Sequence, residues 1–406
     1  MPAKSTDIHA TEAASDLSIP PTFSELVSAF VRIGLMSFGG PAAQIALMHK
    51  ICVEEKRWID EDRYLHALNY CMLLPGPEAQ QLATYIGWLL HGVRGGIVAG
   101  LLFVLPGLAI ILGLSTLYAL YQDTSLVSGL FFGLKAAVLA IVVEAVVRIG
   151  KRALKTGFHR GLAAAAFIAL FFFSLPFPLV VLAAALIGLI DARGAPSSSV
   201  EIAEELRARP FFLRQVAALV FWVAVWLAPL PLLWLFLPDT ALPEVQTFFS
   251  KMALVTFGGA YAVLAYVAQV AVDHYAWLKP GEMLDGLALA ETTPGPLVLV
   301  LSYVGFLAGF RQSGALDPLI GGLLGGAIAA WATFVPSFIW IFAGAPYIER
   351  LRGNRLLSSA LSAITAAVVG VIMNLALWFG LHVLFAQVRT VSFLGLSPDW
   401  PVLTSL

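Results

Sequence analysis

Two kinds of residue in this 406-residue chain could do chemistry, and both lie inside apolar sequence. The first kind breaks helices: Gly39-Gly40-Pro41, Pro75-Gly76-Pro77, Gly258-Gly259 and Pro294-Gly295-Pro296. Glycine permits backbone angles that other residues avoid, and proline lacks the amide hydrogen a continuing helix needs. A helix restarting after such a break presents unpaired amide hydrogens and the positive end of its dipole, which suits an anion. Gly39, Gly40, Gly76, Gly258, Gly259 and Gly295 are therefore candidates for backbone contact with a ligand. Pro41, Pro75, Pro77, Pro294 and Pro296 would fix the breaks. The same glycines would also serve a purely packing role between membrane helices.

The second kind is ionisable. Arg32 and Lys251 are cations in apolar segments, where an ionisable group marks a functional site by default, although both lie near enough to a segment start to snorkel. Glu78, Glu144 and Glu291 are carboxylates in apolar surroundings and could carry a proton. Glu144 also stands four residues before Arg148, the spacing of an intrahelical ion pair. Gln44, Gln80, Gln81 and Thr84 could add hydrogen-bond donors or hold helices together. The scattered histidines make no metal-ligand spacing, Cys52 and Cys71 suit small buried hydrophobes, and no nucleophile–base constellation is visible. Neither metal, cofactor nor catalytic residue is expected.

These residues recur. Phe38-Gly39-Gly40, Trp58 and Pro75-Gly76-Pro77 each have a counterpart 219 residues downstream, at Phe257-Gly258-Gly259, Trp277 and Pro294-Gly295-Pro296. Phe30 pairs with Phe249, Ser37 with Thr256, and Arg32 with Lys251 at the same offset. Further on the offset becomes 230, which aligns Pro106 with Pro336, Lys135-Ala-Ala-Val138 with Thr365-Ala-Ala-Val368, and Glu144 with Asn374. The chain is an internal duplication with an insertion of 11 residues in the second copy.

The elements that must position these residues follow from composition. With 59% hydrophobic and 12% charged residues and a mean hydropathy of +0.87, the chain has too little polar surface for a soluble globule of its size. It reads as an all-α polytopic membrane protein with about 10–12 membrane segments. The net charge of −1 speaks neither for nor against a charged partner, but nothing resembles a basic patch with interleaved aromatics, so no nucleic-acid partner is expected; the expected surroundings are the lipid bilayer. Boundaries fall at residues 1–22 (a disordered cytoplasmic tail), 23–190 (first repeat), 191–210 (cytoplasmic linker), 211–240 (linking helix) and 241–406 (second repeat). Arg148, Lys151, Arg152, Lys155 and Arg160 place one loop in the cytoplasm, whereas Arg350, Arg352 and Arg355 precede the equivalent segment of the second copy. The two repeats are therefore expected to be inverted, an architecture of secondary transporters that places substrate between broken helices near the midplane.

At these residues the chain resembles the long-chain chromate ion transporters, whose two homologous halves each carry a Phe-Gly-Gly and a Pro-Gly-Pro element. The matching stretches are Ser37-Phe-Gly-Gly-Pro41, Leu74-Pro-Gly-Pro-Glu78, Thr256-Phe-Gly-Gly-Ala-Tyr261 and Thr292-Thr-Pro-Gly-Pro296, with the basic segment after Val147. The resemblance implies secondary active efflux of chromate from the cytoplasm, expected across a bacterial inner membrane. The cations, helix breaks and donors read above then place the oxyanion at Arg32, Gly39, Gly40, Gln44, Gly76, Gln80, Lys251, Gly258, Gly259 and Gly295. Coupling would fall to Glu144, Glu78 or Glu291. Sulfate, a tetrahedral dianion too, or another oxyanion is the alternative cargo, and a homodimer is left open. A channel or a membrane-embedded enzyme are the readings of other classes. One departure is that the first copy's segment at 161–190 maps to 391–420, beyond Leu406, so the second repeat is expected to lack its final hairpin.

Overall fold

The computed structural model describes residues 21–193, 209–256, 260–279, 281–344, 355–385, 388–390 and 399–401. The tail through residue 20, most of the linker, and Gly258 and Gly259 lie outside the described residues. What is described is almost entirely helical. The first copy contains α1 (Phe23–Met36), α2 (Gly40–His49, continued by a π-helical turn Lys50–Glu55), α3 (Glu61–Cys71), α4 (Glu78–Tyr121), α5 (Ser125–Ala153), α6 (Gly157–Phe173) and α7 (Phe177–Arg193). The linking segment is α8 (Arg209–Leu227) and α9 (Pro229–Phe236). The second copy contains α10 (Leu242–Val255), α11 (Ala260–Gln269, with π turn Val270–His274), α12 (Glu282–Thr292), α13 (Val300–Arg311, entered through a 3-10 turn Leu297–Leu299), α14 (Pro318–Gly344) and α15 (Arg355–Leu384). Val388–Thr390 (β1) and Asp399–Pro401 (β2) form a small antiparallel ribbon. Among the described residues, five helical stretches are long and apolar enough to cross a membrane: Glu78–Tyr121, Gly129–Ala153, Val216–Phe236, Pro318–Gly344 and Ser358–Leu381.

The first of these is a hairpin. His91 and Gly92 leave helical angles, and Gly87 lies against Gly95 and Ala99, residues that a straight helix would carry about 12 Å and 18 Å away. The second copy makes the same hairpin from α13 and α14, with Gly305 against Gly325 and Ala329, but with a longer connection. That connection holds the insertion inferred from the change of offset.

The duplication is visible in backbone detail. Ser37 ends α1 and Thr256 ends α10, each with its hydroxyl donating to a carbonyl four residues back, Ile33 and Met252, both at 2.6 Å. Arg57 and Ala276, also equivalent, both take positive φ, at 50° and 52°. In the Pro-Gly-Pro elements Gly76 has φ 113° and Gly295 φ 107°. α1 lies along α4 as α10 lies along α14, while α5, α6 and α7 pack around α15. The second limb of α4 and α14 run antiparallel in constant register: Gly96 and Gly100 meet Phe342 and Phe338, and Gly326 meets Leu112.

The copies clasp each other at the breaks. The Gly76 amide donates to the Thr256 carbonyl at 2.8 Å, and the Gly295 amide donates to the Ser37 carbonyl at 2.7 Å. Each Pro-Gly-Pro glycine thus satisfies a carbonyl left open where the other copy's first helix stops. Replacing Gly76 or Gly295 by alanine forces a side chain into left-handed angles and should cost about 1–2 kcal/mol at each site, read as a lower unfolding temperature in detergent. Gly113→Ala, in a helix interior where an added Cβ meets nothing within 4 Å, should cause no such loss. Equal effects at all three positions would show that the breaks carry no special strain.

Candidate functional site

Three helix N-termini meet at one pocket. Its lining is Pro41 and Gln44 from the start of α2, Gly76 to Ala79 from the start of α4, and Pro296 to Val298 from the turn that opens α13. The empty space there, part of it open to the outside, is about 330 Å³. The geometry follows from proline chemistry. Pro41 sits in the first turn of α2, Pro77 caps α4, and Pro296 caps the 3-10 turn, so each helix can only begin there. The first hydrogen bond of α4 closes from the Gln81 amide to the Pro77 carbonyl at 3.0 Å, and that of the second copy from Leu299 to Pro296 at 2.8 Å. The amides of Glu78, Ala79 and Gln80, and those of Leu297 and Val298, have no hydrogen-bond acceptor among the described residues. Two bundles of unpaired amide hydrogens, one from each copy, therefore border one space that suits an anion.

Glutamines brace this frame. Gln44, 1% exposed, donates through Nε2 to the Gly295 carbonyl at 2.7 Å and to the Ser37 carbonyl at 3.4 Å. Because both partners are carbonyls, the amide orientation is fixed, and Gln44 Oε1 is left without a partner among the described residues. Gln81 Nε2 donates to the Pro75 carbonyl at 2.7 Å, Gln80 Nε2 to the Phe334 carbonyl on α14 at 3.3 Å, and the Thr84 hydroxyl to the Gln80 carbonyl. Nothing polar answers these glutamines in the second copy: Val263 stands for Gln44, and Leu297 for Glu78. Glu78 is the one carboxylate in the lining.

The residues named from sequence are thus sorted by the fold. Pro41, Gln44, Gly76, Pro77, Glu78 and Pro296 line one pocket. Gly76 and Gly295 spend their amides on the interlocking bonds, so the donors left for a ligand belong to the residues that follow each glycine. Gly39 and Gly40 have positive φ, at 83° and 79°, and Gly40 faces open space. Arg32 lies outside the lining, half exposed, with a 3.1 Å ion pair to Glu55. Lys251 is also exposed and outside it. Glu144 is exposed and pairs with Arg148 at 3.5 Å, while Glu291 accepts a 2.5 Å hydrogen bond from Tyr261.

Sequence reading passed over a second polar cluster. On α12, Glu282 receives both guanidinium nitrogens of Arg311 at 2.6 and 2.7 Å, and Asp285 meets Lys135 at 3.5 Å and the Tyr118 hydroxyl at 2.9 Å. The available signal was the spacing of Glu282 and Asp285, three apart and hence on one face of an apolar helix.

The Chromate transporter family matches residues 24–189 and again residues 244–404, once for each copy. A chromate transport protein of Pseudomonas aeruginosa is 33% identical over 373 residues, covering 89% of this chain and 82% of its own. One from Cupriavidus metallidurans is 29% identical over 89% of this chain and 84% of its own, and a probable chromate transport protein of Synechococcus elongatus is 26% identical over 91% and 88%. No solved structure matches the chain. The two broken-helix copies, the spanning helices and the matches in both halves agree: this multi-pass membrane protein belongs to the chromate transporter family.

Proposed function

We propose that the protein is a secondary transporter that exports chromate across the plasma membrane of a bacterial cell by alternating access. The oxyanion is held in the pocket between Glu78–Ala79 and Leu297–Val298. The observation that carries this reading is the convergence of unpaired helix N-termini from both copies on that pocket. Each N-terminus amounts to about half a positive charge, so three of them set about one and a half charges against a dianion without placing a lysine or arginine in the lining. Arg32 and Lys251, at equivalent places outside the pocket, are assigned to drawing the anion toward it.

Many alternating-access transporters are built from two repeats of opposite orientation. In support, equivalent helices meet antiparallel, with Gly96 against Phe342 and Gly326 against Leu112. The basic end of α5, at Arg148, Lys151 and Arg152, marks the cytoplasmic side, which the His91–Gly92 turn shares. The Arg311–Pro318 connection then faces outward. Cysteines at His91 and Gln312 should label with an impermeant maleimide from opposite sides of the membrane; labelling from one side would end the inverted reading.

Glu78 is the proposed coupling carboxylate. An ionised Glu78 in the lining repels a dianion, while a protonated one adds a donor, so occupancy by substrate and by proton are linked. Glu144 and Glu291 are held by Arg148 and Tyr261 and are assigned structural roles. Vesicles carrying the protein should take up chromate above protein-free vesicles, and sulfate added as competitor reports whether the pocket separates two tetrahedral dianions. No uptake would refute the transport reading. Glu78→Gln should abolish proton-driven net movement while chromate–chromate exchange survives. Glu144→Gln should leave both intact, since an exposed helical pair contributes only about 0.3–0.5 kcal/mol.

A further inference from the structure

The two Pro-Gly-Pro elements are delivered to the pocket by equivalent short helices, α3 in the first copy and α12 in the second, and their surroundings differ sharply. On α3, Glu61, Asp62, Arg63, Leu65 and Asn69 are exposed. On α12 every residue from Glu282 to Ala290 is buried. Asn69 and Ala288, which correspond at the 219-residue offset, are exposed and 1% exposed respectively. In this structure α3 is therefore exposed along one side, and α12 is enclosed along its length.

The seal is built of charge. Asp285, 3% exposed, is held by Lys135 of α5 and by the Tyr118 hydroxyl at the end of α4. The Lys135 ammonium lies against the backbone at Gly281, where a Cβ would come within 2.9 Å of it, so the absent side chain is what admits it. One turn earlier, Glu282, 4% exposed, is gripped by Arg311, whose guanidinium also donates to the Trp277 carbonyl at 2.7 Å. The remaining ring beside this group is Tyr303, packed edge-on to Tyr118 with centroids 5.4 Å apart. None of this has an equivalent on α3. Arg63 stands for Glu282, His66 for Asp285 and Thr365 for Lys135, while Arg311 lies in the connection that the first copy lacks.

We propose that Lys135–Asp285 and Arg311–Glu282 form a latch that fixes α12 and closes the pocket on that side. These are positioning residues for transport: they touch no substrate and act through the Pro294-Gly295-Pro296 end that α12 delivers. This inference rests on the alternating-access reading above. Separating either pair leaves a buried charge without its partner, so the sealed state persists until the latch is hydrated or its charge is removed.

The test is reciprocal accessibility in membranes, with Cys52 and Cys71 replaced by alanine and single cysteines placed at Asn69 or Ala288. In the otherwise unchanged protein, Asn69→Cys should react with an impermeant maleimide from one side and Ala288→Cys should be protected from both. Because a single neutralisation orphans its partner, the informative change is the pair Lys135→Gln with Asp285→Asn. It should raise labelling of Ala288→Cys several-fold from the opposite side and lower that of Asn69→Cys. The charge reversal Lys135→Asp with Asp285→Lys should restore both. A merely structural ion pair predicts either no change at the two probes or a rise at both with a lower unfolding temperature, and each outcome would overturn the latch. Chromate uptake by the unaltered protein is scored separately, so loss of the transport reading and loss of the latch remain distinguishable.

Discussion

The reciprocal bond between each Pro-Gly-Pro glycine and the other copy's helix end is the constraint on which this molecule depends. A helix that stops inside an apolar bundle leaves carbonyls unsatisfied, and in surroundings without water each such group costs several kcal/mol. Ser37 and Thr256 are such ends, and the amides of Gly295 and Gly76 satisfy them at 2.7 and 2.8 Å. Neither copy can close its own break, so the two must fold against each other. Only glycine meets the backbone angle at these points, and proline on either side stops the chain from settling into a continuous helix that would abolish the exchange.

That exchange also creates the pocket, because it brings two restarting helices to one place with their amides forward. Backbone symmetry is then broken by side chains. The first copy contributes Gln44 and Glu78, and the second offers Val263 and Leu297 at the same positions. The polar character of the lining is thus the first copy's, whereas the buried carboxylates Glu282 and Asp285 are the second copy's. Duplication set the frame, and divergence placed polar side chains on different parts of the two copies.

Much of this was legible in the sequence because the frame is set by glycine and proline, whose backbone effects are local. The offset of 219 paired the two Pro-Gly-Pro breaks, and the pairing of Ser37 with Thr256 turned out to be a pairing of two helix ends with the same hydroxyl bond. The reach of side chains was not legible. Arg32 and Lys251 stand at equivalent positions, yet they lie on an exposed surface outside the lining. The pairing of Glu144 with Arg148, by contrast, is local, and its spacing of four residues already announced it. Asp285 and Lys135 are 150 residues apart in the chain and belong to different copies, so no local pattern could join them.

In the proposed carrier, holding an anion by backbone rather than side chain has a physical logic. A lysine or arginine buried at mid-membrane must be desolvated at high cost, and a dianion that neutralised it would leave an orphaned charge on departure. Helix N-termini carry about half a charge each, are satisfied in part by their own helices, and keep the same orientation whether or not a ligand is present. A site of this kind attracts an oxyanion without making its release prohibitive. It also explains why full charges in this protein sit where release is not required. Arg311 and Lys135 face fixed carboxylates on α12, in pairs that persist for as long as the helix stays in place.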